Sequence, residues 1–281
     1  TNGDGNISAN EMYPVKDDNG NGIIDDSEIR DERVAWIRRV GGYNEVARAL
    51  AIDKDGFLWI GMYNTQRMYK MDSNTGVTLG SWSIGHRPYG AAVDSQNRLF
   101  TVVLGSGYAR RISVATPTAQ SSFWVHDGYG MAIGPDHNNT EVMVSAINSH
   151  HGFQVTNPNT LQNVHPISGK GFGSRGISLD ANGEVLLSGS NGSWQRNGVT
   201  KARTDGSIVW TRASDASCRG GDQRGAIIDA DNDVWIVAMN NDAVCKYSAG
   251  GTFLAKVPVG RRPYTYSDAT GIGLQFSDPT G

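Results

Sequence analysis

Short apolar runs and polar turns alternate along the chain at a spacing that repeats. From residue 47 onward a small-residue strand that ends in or near Asp is followed by a turn, then by a strand centred on an aromatic or aliphatic residue: "RALAIDKDGFLWIGMYN", "YGAAVDSQNRLFTVVLG", "YGMAIGPDHNNTEVMVSAIN", "RGISLDANGEVLLSGSN" and "RGAIIDADNDVWIVAMN". Turns such as "DKDG" and "DANG" supply the Gly and Asn that tolerate the positive φ of a tight reversal, so each pair of runs reads as a hairpin. Each unit adds a third strand, such as "MYKMD" or "AVCKYS", and a fourth, such as "TLGSWSIG" or "SIVWTRAS". Four antiparallel strands recurring at about 40 to 46 residues predict the blades of a β-propeller.

Five complete units fall at about 47 to 85, 86 to 128, 129 to 171, 172 to 217 and 218 to 263. "RVAWIRRVG", residues 33 to 41, reads like the fourth strand of a blade by analogy with "SIVWTRAS", and "ATGIGLQ", residues 269 to 275, reads like a first strand. The expectation is an all-β, six-bladed propeller over residues 33–281, its last blade closed by strands from both ends, with a separate segment at residues 1–32.

Composition agrees with strands and turns, with 36 glycines in 281 residues and only 19% charged side chains. The formal net charge of −3 hides an asymmetry: residues 1–32 hold nine acidic side chains against two basic ones, leaving 19 acidic and 23 basic in the remainder. A body this weakly basic argues against a nucleic-acid partner. No run approaches the length of a membrane span, and no signal peptide is visible.

The acidic front carries a motif. "DDNGNGIIDDSE" fits the twelve-residue calcium loop D-x-[DN]-x-[DN]-G-x5-E, with Asp17, Asn19 and Asn21 at alternate positions, Gly22 at the sharp turn, Ile23 offering its backbone carbonyl, Asp25 at the ninth position and Glu28 able to bind through both oxygens. The opening "TNGDGNISANE" is the same loop less its first residue, with Asn2, Asp4, Asn6 and Glu11 as candidate ligands. Two loops 17 residues apart leave no room for ordinary EF-hand helix pairs, and the segment resembles the compact calcium repeats of dockerins and other secreted bacterial proteins. That resemblance implies structural Ca²⁺, an extracellular bacterial setting and a piece of a larger protein or assembly.

Residues 33 to 281 resemble the NHL and virginiamycin B lyase type of propeller, on the pattern of a Gly, three residues, an Asp, a turn and a strand around an aromatic, as in "GAAVD…LFTV" and "GAIIDADNDVWIV". The resemblance implies a site on the channel face, where the loops leading into the innermost strands emerge. The residue just before each inner strand's small residue is Arg48, Tyr89, Tyr129, Arg175, Arg224 and then Thr270. Guanidinium forks and phenols suit anionic or sugar-like ligands, or they plug the channel by pairing with nearby carboxylates. Carbohydrate, an anionic small molecule or another extracellular protein are therefore the expected partners. Asn64, Asn148, Asn191 and Asn240 share a register after the second strand, where Asn serves as a turn residue or as a donor to ligand hydroxyls.

The preferred function is a calcium-stabilised binding or structural module. The alternative, a metal-dependent lyase or hydrolase as in virginiamycin B lyase, takes its residues from the position four before the inner-strand glycine: Glu45, His86 and His126. Two cysteines, Cys218 and Cys245, are too few for a disulfide framework and lack zinc spacing, and within one blade they form one disulfide or stay as two buried thiols.

Overall fold

The computed structural model describes residues 16–21, 24, 26–29, 34–148, 151–167, 175–180, 182–190, 197–218 and 222–264. Nineteen strands in these residues make five blades of four strands each. Blade 1 is β1 (Ala47–Ile52), β2 (Leu58–Met62), β3 (Arg67–Met71) and β4 (Thr78–Ser83). Blade 2 is β5 (Pro88–Val93), β6 (Arg98–Val103), β7 (Gly105–Ser113) and the first half of β8 (Gln120–Pro135). The second half of β8 opens blade 3, which continues with β9 (Glu141–Ile147), β10 (Gly152–Thr156) and β11 (Asn163–Ile167). Blade 4 is β12 (Gly176–Leu179), β13 (Val185–Ser190), β14 (Asn197–Ala202) and β15 (Ile208–Ala213), and blade 5 is β16 (Gln223–Ile228), β17 (Val234–Ala238), β18 (Ala243–Tyr247) and β19 (Phe253–Pro258). The unit boundaries read from periodicity coincide with these blades.

First strands of successive blades lie side by side, so β1, β5, the second half of β8, β12 and β16 ring a common axis. Strand alternation sends one set of side chains to each flank of a blade, and the cores form between blades. Trp59 and Met68 of blade 1 meet Leu99 and Ile112 of blade 2, Phe100 and Phe123 of blade 2 meet Met131 and Met143 of blade 3, and Leu186 and Val199 of blade 4 meet Ile236 and Tyr247 of blade 5. Fully burying side chains of this size contributes roughly 1.5–3 kcal/mol each. Blade-on-blade packing therefore dominates.

The turn after each inner strand repeats one device. An Asp closes the strand and its Oδ1 accepts the N–H groups two and four residues on: Asp53 from Asp55 and Phe57, Asp94 from Gln96 and Arg98, Asp136 from Asn138 and Thr140, Asp180 from Asn182 and Glu184, Asp229 from Asp231 and Asp233. The second oxygen meets a third-strand lysine in blades 1, 4 and 5 (Lys70, Lys201 and Lys246), Arg98 in blade 2 and Thr204 in blade 3. Asp53 takes Trp59 Nε1 at 2.8 Å, Asp229 takes Trp235 Nε1 at 2.7 Å, and Asp180 takes the buried Lys201 ammonium at 2.5 Å.

Residues 34–41 form no ladder among the described residues, yet they occupy a strand's place. Trp36 Nε1 donates to the Ser73 carbonyl at 2.8 Å, in the turn between β3 and β4, just as Trp210 of β15 donates to the Ala249 carbonyl at 3.0 Å, in the turn between β18 and β19. Gly76 and Gly251 sit beneath the two indoles at φ +69° and +83°, where a Cβ would strike the ring at 2.7 and 2.9 Å. This segment therefore holds against blade 1 the position that blade 4's outer strand holds against blade 5.

Candidate functional site

Four of the channel-face residues marked in the sequence come together: Tyr89 at the start of blade 2, Tyr129 at the start of blade 3, and Arg175 and Arg224 at the starts of blades 4 and 5. Arg224 Nη1 donates to the Tyr129 hydroxyl at 2.9 Å and to the Tyr264 hydroxyl at 3.3 Å, and the two hydroxyls are themselves hydrogen-bonded. Arg224 and Arg175 each engage one oxygen of Asp222, whose side chain is 8% exposed. The Tyr89 ring meets Tyr129 edge-on at 4.8 Å and Tyr63 at 5.9 Å; Arg48 lies over Tyr89 at 5.7 Å and Arg87 over Tyr63 at 5.3 Å. Blade 3's Tyr129 thus reaches past Arg175 of the next blade to Arg224 of the one after. The phenols form a floor across the ring.

The electrostatics of this floor are one-sided. Arg175 and Arg224 share the Asp222 carboxylate, and Arg48 and Arg87 lie over the neighbouring phenols Tyr89 and Tyr63. Burial opposes the Arg224 charge, but the phenolic oxygens of Tyr129 and Tyr264 and the Asp222 carboxylate outweigh it and raise its pKa. Burial, with hydrogen bonding to Tyr129, pushes Tyr264 up to about 12 and Tyr89 well above the usual phenol value. Tyr89 and Tyr264 stay protonated while Arg224 stays charged.

Glu45, His86 and His126 take separate partners. Glu45 Oε2 accepts the Gly42 N–H at 2.7 Å and the Tyr69 hydroxyl at 3.3 Å, and its pKa is lowered, first by a hydrogen bond from Thr65. His86 is buried with Nε2 on Thr101 Oγ1 at 2.8 Å, and the backbone N–H of His126 donates to Gln154 Oε1 at 2.9 Å. Among the described residues no group of three or more His, Cys, Asp or Glu gathers in a way that could hold a metal.

In the acidic front, Asp17 Oδ1 accepts the Gly20 and Asn21 N–H groups, Asn19 Oδ1 accepts that of Asn21, and Glu28 folds back so that Oε1 accepts Asp18 and Asn19 N–H, both at 2.9 Å. Two carboxylates and two amide oxygens curled on one segment fit a hard cation in donor chemistry. Asn2, Asp4, Asn6, Glu11, Ile23 and Asp25 lie outside the described residues, as do Asn191 and Thr270. Cys218 and Cys245 form a disulfide, both fully buried, tying the loop before blade 5 to its third strand. Asn64 serves a turn, its Nδ2 donating to the Asn44 carbonyl at 2.7 Å, and the Asn148 N–H donates to the Asp127 carbonyl at 2.8 Å.

Residues 42–64 match the family described as "Two component regulator propeller". No curated protein matches the sequence. The fold is similar to a catalytically inactive virginiamycin B lyase from Staphylococcus aureus with quinupristin, at a TM-score of 0.65 and 10% identity over 79% of this chain and 72% of that one. It is similar also to Kuenenia stuttgartiensis hydrazine synthase, at 0.57 and 13% over 82% and 92%, and to regucalcin, a calcium-binding protein from Agrobacterium tumefaciens, at 0.56 and 13% over 79% and 77%. The chain is an all-β propeller. Identities this low carry the fold of the propeller and nothing of its chemistry.

Sequence reasoning missed Asp222, Tyr63 and Tyr264. Tyr264 had a signal: "IGHRPY", Ile84 to Tyr89, returns as "VGRRPY", Val259 to Tyr264. Tyr264 stands 40 residues after Arg224, as Tyr129 stands 40 after Tyr89, and its hydroxyl joins the floor. It therefore takes the sixth position of the ring, which the sequence reading had given to Thr270. Two residues ahead of the other ring positions an Asp recurs only as Asp127, before Tyr129, and one match among the blades is too sparse a pattern to mark Asp222.

Proposed function

We propose that the propeller is an extracytoplasmic binding module whose channel face recognises an anionic ligand, with the acidic N-terminal loop serving as a Ca²⁺-binding brace. The observation that carries the reading is the gathering of four guanidiniums on one connected set of phenols, Arg175 and Arg224 sharing Asp222 while Arg48 and Arg87 lie over Tyr89 and Tyr63. A fixed array of forks with neutral phenols between them is preorganised for oxyanions and needs little reordering on binding. The buried disulfide supports an oxidising compartment, and no helix among the described residues is long and apolar enough to cross a membrane. A metal-assisted lyase or hydrolase has less support, since the Glu45 and His86 side chains take separate partners, Tyr69 and Thr101.

Calorimetric titration with galacturonate, citrate, phosphate and sulfate tests the channel face. At least one should bind, weakening as salt rises, and an Arg48→Ala/Arg87→Ala double variant should lower its affinity about tenfold or more. Absence of binding by all four, or binding indifferent to the double variant, refutes the reading. The brace is tested separately by calcium titration of the protein and of Glu28→Gln, which removes one charge from the site. Equal calcium affinity in both removes the loop from the proposal.

A further inference from the structure

Blade 2 carries an aromatic pair on its outer half, away from the channel floor. Tyr108 of β7 and Trp124 of β8 stand directly opposite each other in the ladder and meet edge to face, with centroids 5.3 Å apart and planes at 83°. Both face solvent, Tyr108 at 61% and Trp124 at 45% exposure, while Ala109, Phe123 and Val125, which alternate with them, are buried in the core between blades 2 and 3. Strand alternation dictates only that these two positions point outward. It does not dictate large aromatics there.

The backbone under Trp124 is clamped from the next blade. Its carbonyl accepts Gln154 Nε2 at 3.0 Å and Asn163 Nδ2 at 2.7 Å, and the oxygen of the same buried Gln154 amide accepts the N–H of His126 at 2.9 Å. The exposed indole is thus mounted on a strand held by its β7 ladder on one edge and by two side-chain amides on the other. A ring fixed before its ligand arrives loses little freedom on binding.

The surroundings select the ligand. Two residues along each strand from the pair, and so on the same flank, stand Arg110 on β7 and Ser122 and His126 on β8, while Ser106 lies at an irregularity of the ladder with its hydroxyl accepting the Asp127 N–H at 3.0 Å. Two aromatic rings ringed by hydroxyls, a guanidinium and an imidazole are far smaller than the roughly 1,200 Å² that a stable protein interface buries. They match the size and two-sided chemistry of one sugar ring, which has a C–H face to lay on an aromatic and hydroxyls around its edge. We propose that Tyr108 and Trp124 form a platform for a pyranose ring of a carbohydrate chain, with Ser122, Arg110 and His126 as hydrogen-bonding partners at its rim. This site is distinct from the channel floor and stands or falls independently of it.

Tryptophan fluorescence and calorimetric titrations of the whole protein with cellohexaose, xylohexaose, mannohexaose and chitohexaose test the proposal. At least one of them should bind saturably, and Trp124→Ala or Tyr108→Ala should each weaken that binding about tenfold or more. Arg48→Ala/Arg87→Ala should leave it unchanged. Tyr108→Ala, at the more exposed position, remains decisive should Trp124→Ala fail to fold. Lack of binding by all four oligomers, binding unaffected by both variants, or a dimer in sedimentation that either variant dissolves would each overturn the proposal, the last by showing a second copy to be the occupant.

Discussion

His86 is 8% exposed, with Nε2 against Thr101 and Nδ1 lacking a hydrogen-bond partner among the described residues. Burial first, and then the Arg110 guanidinium, lowers its pKa to about 4 from an ordinary 6.5. The unfolded chain therefore binds the proton between these values and the folded one does not, so stability is full above pH 6.5 and falls as pH drops toward 4. A shift of this size corresponds to roughly 3 kcal/mol. Urea unfolding midpoints measured from pH 7 to pH 4 should show that decline, and His86→Gln, which keeps a polar side chain against Thr101 but does not titrate, should flatten it. An unchanged slope in the variant would remove His86 as the cause.

The inner-strand hairpins show which features of an element are legible in sequence. Each Asp before its turn was visible as a repeat, because Oδ1 does the same work in every blade, accepting two backbone N–H groups. What Oδ2 does differs more between blades: a third-strand lysine in blades 1, 4 and 5, joined by an indole six residues on in blades 1 and 5, but Arg98 in blade 2 and Thr204 in blade 3. The consequence is unequal cost. Lys201 is 4% exposed at its side chain and pairs with Asp180 and Glu184, so Asp180→Ala removes two turn hydrogen bonds and half the compensation of a buried ammonium. Losing one partner of a buried pair typically costs about 3–5 kcal/mol, while a turn acceptor alone is worth about 1–2 kcal/mol. Asp180→Ala should accordingly shift the unfolding midpoint well beyond Asp136→Ala, whose Oδ2 meets only the Thr204 hydroxyl at 3.1 Å among its side-chain partners. Equal shifts would mean that the Lys201 pair adds nothing.

At the scale of the ring, period and composition told the blade architecture, whereas the channel floor needed coordinates, since Tyr129, Arg224 and Tyr264 meet across 135 residues of sequence. The ring's closure shows in the contrast between two first strands. β5 is buried along its whole length, but β1 leaves Leu50 and Ile52 exposed at 53% and 50% on the flank turned away from blade 2. Beside it Trp36 packs on the β3–β4 turn as Trp210 packs on the β18–β19 turn, and at the channel floor Tyr264 follows blade 5. Both observations put another blade's edge beside blade 1, with residues 34–41 as its outer strand. Trp36→Ala should then behave as a weaker Trp210→Ala: loss of one indole–carbonyl hydrogen bond and the ring's contact with a glycine turn, about 1–3 kcal/mol for the half-buried Trp36 and more for Trp210, which is 8% exposed. Amide exchange should quicken at Asp72 to Val77 in the first variant and at Ser248 to Thr252 in the second. If Trp36→Ala leaves stability and exchange in that turn untouched, the segment is a passing loop and the ring closes without it.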